Sequence, residues 1–360
     1  MTITRIVTSL FLLLLPLLAT AGGSIFDLLY TGKDAPVALR LEVPMDSLLN
    51  KTRFEQPARA VFTDAEGKVQ NWSLDVGIRG KFRRQRCEFP PLKLNFSKKD
   101  LKAAGLEKWD KYKLVSTCSA DPLAKNLVLK EYLAYRAYNI ISPWSFRVQW
   151  VEITYVDSNG NHAPRVETGF VIEETDEMAA RIGGKEVDNA VGLPSTSFHP
   201  QAEVTQALMQ YLVSNGDWSM PLARNVKVVE MPDGRMIPIG YDFDFSGWVG
   251  APYASPTGEI GQQSIYQRVY QGYQHDDGVM REVATSFRDH RRKVLSLINK
   301  FYALPSEERV VMYRFATRFF KELNSMNLED GLPLYEQLRG DVAEFIPPGA
   351  DAKAFRSMGK

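Results

Sequence analysis

The sequence predicts an α+β fold in which a β-rich first half is followed by a mainly helical second half. Short segments with alternating or β-branched residues, separated by turn residues, dominate the first half of the chain. In the second half, apolar residues recur mostly at helical spacing, and the polar, glycine-containing stretch 175–199 separates the two patterns. We therefore expect a β-rich part with one long helix over residues 22–174 and a mainly helical part over residues 175–360.

Residues 1–21 are expected to be a signal peptide. Arg5 precedes an apolar run from Ile6 to Leu18, which ends at the small-residue exit Ala19-Thr20-Ala21. The apolar run is shorter than the roughly 20 residues that a membrane-spanning helix needs, and no second span follows. We expect cleavage after Ala21, export to the periplasm or the medium, and no integral membrane segment in the mature chain.

The composition argues against two kinds of partner and favours a disulfide. Lys and Arg (44) nearly balance Asp and Glu (43) and are interspersed with them, so no global charge points to nucleic acid or to a membrane surface. Cys87 and Cys118 are the two cysteines of a chain that is expected to leave the cytosol, which favours a disulfide between them. Two free thiols remain the alternative.

Seven strands are predicted in the first half, and we expect an antiparallel sheet. They are Pro36–Val43, Ala58–Phe62, Ser73–Arg79, Leu92–Phe96, Lys111–Val115, Phe146–Tyr155 and Thr168–Glu174. In the fourth of these strands the apolar residues share one face, so Lys93 lies on the opposite, polar face. The basic run from Arg79 to Arg86 is either a cradle for phosphate oxygens or a solvated edge strand.

A long helix is predicted over Pro122–Ile141, with Asp121 as its N-cap. Glu131 falls on the apolar face of this helix. Because burial of an unpaired charge is costly, Glu131 requires a cationic partner; Lys93 is the candidate, although a purely structural ion pair would give the same pattern.

In the second half, helices are predicted over Pro200–Ser214, Val279–Ala303, Ser306–Asn324 and Leu332–Arg339, and a hairpin over Val226–Ile239.

The segment Asn215 to Gly247 carries polar residues in an order that suits phosphoryl transfer. Asp217 follows a predicted helix, Asn225 lies a few residues on, and Asp242 follows the hairpin. In protein-kinase-type enzymes the first Asp orients the attacking hydroxyl, while the Asn and the second Asp hold the Mg²⁺ ions that bridge the nucleotide phosphates. Other chemistries lack a starting motif, since the sequence contains no zinc pattern, no G-x-S-x-G and no P-loop.

Several short motifs between residues 79 and 246 occur in a recognisable order. They are Arg79-Gly80, Pro91-Leu92-Lys93-Leu94, Lys125-Asn126 with Lys130 to Ala134, Gly169 to Glu174, Asn215-Gly216-Asp217 with Asn225, and Tyr241-Asp242-Phe243-Asp244. In this order and spacing they resemble the CotH family of spore-coat kinases. The resemblance implies a two-lobed protein-kinase-like fold, with an N-terminal antiparallel β-rich lobe and a C-terminal mainly helical lobe.

The resemblance also implies roles for individual residues. Matched position by position, these are Lys93 at the nucleotide phosphates, Glu131 as its helix partner, Glu173 and Glu174 beside the adenine, Asp217 as the catalytic acid, and Asn225, Asp242 and Asp244 as metal ligands. ATP and Mg²⁺ would be the cofactors, and a protein Ser or Thr the acceptor. Two alternatives stay open: transfer of AMP or glutamate in place of phosphate, and a non-catalytic binding or envelope structural protein.

Overall fold

The computed structural model describes residues 22–119, 121–328 and 331–340. The predicted signal peptide, residues 1–21, lies outside this range, as do residues 341–360 of the predicted helical part. Seven strands form the N-terminal half: β1 Val37–Val43, β2 Gln56–Thr63, β3 Val69–Ile78, β4 Leu92–Phe96, β5 Lys111–Ser116, β6 Val148–Asp157 and β7 Arg165–Ile172.

These strands close into a barrel in the order β1-β2-β3-β4-β5-β7-β6. Neighbouring strands are antiparallel except β1 and β6, which pair in parallel from Val37 opposite Val151 to Val43 opposite Asp157. The predicted two-lobed protein-kinase-like fold with an antiparallel N-terminal sheet is therefore wrong, because the sheet is a closed, mixed barrel. Closure removes the free edges and places the apolar faces of two strands that are distant in sequence around one interior.

Two hydrophobic cores are formed by the described residues, and the barrel interior is one of them. The residues just after the predicted cleavage site belong to it. The short helix α1, Ile25–Leu29, contributes Ile25, Phe26 and Leu29 to this core. The ring of Phe26 stacks on that of Tyr112 with 6.0 Å between the ring centroids. The start of the expected mature chain is thus part of the fold and packs on the barrel.

Helices contribute to both cores. They are α2 Met45–Leu49, α3 Lys81–Arg86, α4 Lys98–Ala103, α5 Pro122–Ile141, α6 Thr175–Arg181, α7 Pro200–Val213, α8 Asp277–Lys300, α9 Ser306–Leu328 and α10 Leu334–Arg339. The buried residues of α2 and α4 belong to the barrel core, whereas α5 to α10 form most of the second core. Helix α5 packs against both β7 and α8. Strand β7 serves both cores, since Val171 points into the barrel and Phe170 into the helical core. Helix α5 therefore lies between the barrel and the C-terminal helices.

A small second sheet lies in the helical half. Its strands are β8 Lys185–Glu186, β9 Val226–Glu230 and β10 Met236–Gly240, in the order β10-β9-β8. The predicted hairpin is the antiparallel pair β9 and β10. Helix α7 ends at Ser214, whose left-handed backbone (φ 53°) turns the chain towards Asp217. The sheet and α7 thereby hold the segment that carries the predicted catalytic residues.

The long helix and the disulfide are predicted correctly, whereas the basic run is not the edge strand that one of its two interpretations expects. Helix α5 has the predicted ends, and the side chain of Asp121 accepts a hydrogen bond from the Leu123 amide at 2.8 Å. Cys87 and Cys118 are bonded to each other. The basic run is mostly the helix α3, whose C-cap is Cys87. The disulfide therefore fixes the end of α3 to the segment that leads into α5.

Candidate functional site

The loop between α7 and β9 brings Asp217 and Asn225 into contact. The Asn225 side-chain amide donates to the Asp217 carbonyl oxygen at 2.6 Å and to its carboxylate at 3.1 Å. Reciprocal backbone hydrogen bonds between Ser219 and Arg224, each 3.0 Å, close the intervening loop. The Arg224 guanidinium lies 3.5 Å from the Asp217 carboxylate. The predicted catalytic acid and one predicted metal ligand are thus held together by a tight loop.

Asp242 joins this pair through the backbone. The Tyr241 amide donates to the Asn225 carbonyl at 3.1 Å, and the Asp242 amide donates to the Tyr135 hydroxyl at 2.9 Å. Both Asn225 (φ 53°) and Asp242 (φ 64°) have left-handed backbone, which is uncommon for residues other than glycine and concentrates at functional sites. Burial raises the pKa of the Asp217 carboxyl, and the nearby Asp242 charge raises it further against the opposing effect of Arg224. Asp217 and Asp242 therefore share one electrostatic environment.

Arg83 links Asp244 to Glu131, close to Asp242. One guanidinium nitrogen lies 2.9 Å from a Glu131 carboxylate oxygen and 2.7 Å from an Asp244 carboxylate oxygen. The other Glu131 oxygen, Oε1, is buried and accepts no hydrogen bond from any described residue. Burial raises the pKa of Glu131 to about 8 and that of Asp244 to about 6, although Arg83 opposes both shifts. A single guanidinium thus has to balance two buried carboxyl groups.

The predicted ion pair between Lys93 and Glu131 is not formed. The Lys93 ammonium pairs with Glu55, and both side chains are about one-third exposed. Arg83, which the sequence places only within an ambiguous basic run, is the partner of Glu131. Lys93 is nevertheless directly opposite Lys113 in the β4–β5 register. Both side chains therefore lie on the same, outer face of the barrel.

Lys113 is a site residue that the sequence patterns do not single out. Its ammonium lies 4.5 Å from the centre of the Tyr241 ring. Tyr241 is the residue immediately before Asp242 in the sequence. The pKa of Lys113 is lowered to about 8, mainly by burial and also by the nearby charges of Arg79 and Lys227, while Asp242 acts in the opposite direction. Its polar-face position in β5 is the same local pattern that Lys93 has in β4, so no local signal singles it out. Lys113 thus faces the acidic group from the barrel.

The side chains of Glu173 and Glu174 are engaged in structural contacts. Glu173 is buried, and its carboxylate accepts hydrogen bonds from Arg147 at 2.8 Å and from Arg181 at 2.8 Å. The Glu174 carboxylate caps α6 by accepting from the Glu177 amide at 3.0 Å. Neither carboxylate is brought into contact with Asp217, Asn225 or Asp242. Any contribution of this segment to nucleotide binding would come from its backbone.

The oxygen donors of the site fit a hard divalent cation in their chemistry. The Asp242 carboxylate lies close enough to raise the pKa of both Asp244 and Asp217, so three carboxyl groups lie near one another here. Carboxylate and amide oxygens are the ligands that Mg²⁺ prefers. Among the described residues no three His, Cys, Asp or Glu side chains converge as a metal-holding group, and Asp244 is engaged by Arg83. Asn225 and Asp242 are therefore the residues left to hold Mg²⁺ together with a nucleotide.

Comparisons with known proteins add no assignment. No protein-family model matches the chain, and comparison with curated proteins gives no match. In the part of the chain that the structure describes, no helix combines the length and the apolar character that crossing a bilayer requires. Proposals for function consequently rest on the residues and their geometry.

The buried acids predict a pH dependence of stability. Glu131 has an ordinary pKa of 4.5 and a pKa of about 8 in the folded protein, so the folded state retains a proton that the unfolded state has lost between these values. The free energy of unfolding should therefore be highest below about pH 4.5 with respect to this group, and should fall as the pH rises to about 8. Urea denaturation of the native protein and of Glu131→Gln measures this, and the variant should show a flatter decline. An equal slope in both proteins would contradict the assignment.

Proposed function

We propose that the protein is an exported, Mg²⁺-dependent phosphotransferase that moves phosphate from ATP to a Ser or Thr hydroxyl of a protein, as the resemblance to the CotH family implies. The observation that carries this proposal is the set of contacts joining Asp217, Asn225 and Asp242. A proton acceptor and two oxygen ligands lie together there, as phosphoryl transfer requires. The proposal concerns the reaction and does not depend on a protein-kinase-like fold.

Asp217 is the proposed proton acceptor. In the reaction, the acceptor hydroxyl oxygen bonds to the terminal phosphorus, the bond from that phosphorus to the bridging oxygen breaks, and ADP leaves with the electron pair. The hydroxyl proton passes to the Asp217 carboxylate. Because burial and Asp242 raise the Asp217 pKa, the carboxylate is a stronger base than an exposed Asp. The hydrogen bond from Asn225 and the nearby Arg224 orient it.

Lys113 is the proposed contact for the nucleotide phosphates. It faces Asp242 from the barrel, and the positive charges of Arg79 and Lys227 lie near enough to lower its pKa. Phosphate oxygens entering between these cations would remove that repulsion and favour the charged ammonium. Bound Mg²⁺, held by Asn225 and Asp242, would supply further neutralisation of the phosphate charge. Lys93 lies on the same barrel face and is the alternative phosphate contact.

The experiment measures Mg²⁺-dependent ATP binding and transfer of labelled phosphate to a Ser- and Thr-containing protein mixture. Asp217→Asn should retain ATP binding and lose transfer by about 10²–10⁴-fold, because a general base is removed. Asp242→Asn should lose Mg²⁺-dependent binding. Asp233→Asn, an exposed carboxylate in the β9–β10 turn, is the matched control and should change neither.

A second pair of variants decides between the two lysines. Lys113→Met should weaken ATP binding by about tenfold or more, whereas Lys93→Met should leave it nearly unchanged. Unchanged Mg²⁺-dependent binding in Asp242→Asn would remove the metal assignment. Transfer of AMP or glutamate in place of phosphate would keep the site and change the reaction. Absence of ATP binding in the native protein would refute the proposal and favour a non-catalytic binding protein.

A further inference from the structure

A cavity borders the C-terminal end of α5 and shares no lining residue with the candidate site. Its volume is about 740 Å³, it is open to solvent, and its lining residues come from α5, β6, the C-terminal half of α8, the connection to α9 and the segment before β1. Volumes of roughly 300–1,000 Å³ are typical of sites for small organic ligands. Its size therefore suits one small organic molecule.

The floor of this cavity is apolar and aromatic. Ile140, Trp150, Leu297 and Phe301 contribute to it. The Phe301 ring lies 5.2 Å from that of Trp150, and Trp150 is more than nine-tenths buried. The Trp150 indole N–H is buried and has no hydrogen-bond partner among the described residues. An apolar ligand body would fit against this floor, and an unpaired buried donor lies in its wall.

The rim is cationic. Arg292, Lys293 and Lys300 line the cavity, are exposed, and form no ion pair with any described carboxylate. The one acidic lining residue, Asp34, is already held by Arg136 at 2.8 Å. The protein as a whole has a net charge of only +1, so this is a local concentration of positive charge. The rim is therefore complementary to an anion.

An exposed aromatic side chain completes the wall. Tyr302 is 77% exposed, and the Arg309 guanidinium lies 4.9 Å from the centre of its ring. This cation–π contact holds an otherwise solvent-exposed ring beside the cavity. The ring adds apolar surface next to the cationic rim, so both an apolar and a charged part of a ligand would find contacts here.

We propose that this cavity, defined by the lining residues above, binds a single amphipathic anion, with an acyl or similar apolar chain on the aromatic floor and a carboxylate or phosphate head at Arg292, Lys293 and Lys300. The head group is recognised by charge and the chain by apolar contact. This proposal is independent of the phosphotransferase activity, because the two sites share no residue.

Calorimetric titration of the chain from Gly22 onward with laurate, kept below its micelle concentration, tests the proposal. Saturable binding of one laurate per chain is expected. Dodecyltrimethylammonium, with the same chain and opposite charge, and acetate, with the charge and no chain, should each bind at least about tenfold more weakly. Equal binding of the cationic detergent would overturn the proposed role of the rim.

Matched variants localise the binding. Arg292→Glu/Lys293→Glu should weaken laurate binding by about tenfold or more. Arg314→Glu/Lys321→Glu makes the same change of charge at exposed positions of α9 away from the cavity and should have little effect. Equal weakening by both double variants, or no saturable laurate binding by the native chain, would refute the proposal. Adsorption only to anionic vesicles would likewise refute it and indicate a membrane-binding surface.

Discussion

Replacement of Arg83 by Met should destabilise the protein by about 3–5 kcal/mol. The substitution removes the one guanidinium that contacts both Glu131 and Asp244, at 2.9 and 2.7 Å, and leaves two buried carboxyl groups without a cation. The Arg83 side chain itself is only 14% exposed, so water cannot readily replace it. Urea denaturation at neutral pH measures the loss, and it should become smaller at acidic pH, where both acids are protonated.

Two further variants separate the charge effect from lost packing. Arg83→Met/Glu131→Gln/Asp244→Asn removes the charges of all three partners, and should be more stable than Arg83→Met alone. Lys93→Met deletes a cation from a pair that is about one-third exposed and should cost no more than about 1 kcal/mol. If Arg83→Met costs as little as Lys93→Met, the buried group does not require its guanidinium.

The local features of the site were predictable from the sequence. Which lysine faces the acidic residues of the site was not. Asp217, Asn225 and Asp242 lie within one short stretch, so the helix, loop and hairpin around them restrict where they can go. Lys93 and Lys113 both occupy polar-face positions of adjacent strands and therefore have the same local pattern. Only the placement of the Tyr241 segment against β5 distinguishes them, and that is a long-range contact.

Local sequence patterns also do not predict that the sheet closes into a barrel. Alternation identifies β1 and β6 as strands, because each has apolar residues on one face. Nothing in either segment specifies that β1 pairs in parallel with β6. The partner of Glu131 is similarly remote, since Arg83 reaches it from α3, 48 residues earlier. The class and most elements were therefore predictable, but the architecture depended on pairings between distant segments.

Loss of the disulfide should destabilise the protein by about 3–4 kcal/mol on the chain-entropy estimate, because it closes a loop with a sequence separation of 31 residues. The change is Cys87→Ser/Cys118→Ser. The loss has a second component, since Cys87 ends the helix that carries Arg83, and Cys118 precedes the helix that carries Glu131. Urea denaturation of the double variant measures the total, and reducing agent should shift the native protein towards the same midpoint.

A double-mutant cycle tests whether the disulfide positions Arg83 or only restricts the unfolded chain. If it positions Arg83, the destabilisation by Arg83→Met should be smaller in the Cys87→Ser/Cys118→Ser background by about 0.5–3 kcal/mol. Purely additive effects would mean that other contacts, such as the hydrogen bond from the Glu88 amide to the Cys118 carbonyl at 2.9 Å, hold α3 in place. Coupling would instead make the oxidised pair part of the support for Asp244, and through it for the neighbouring Asp242.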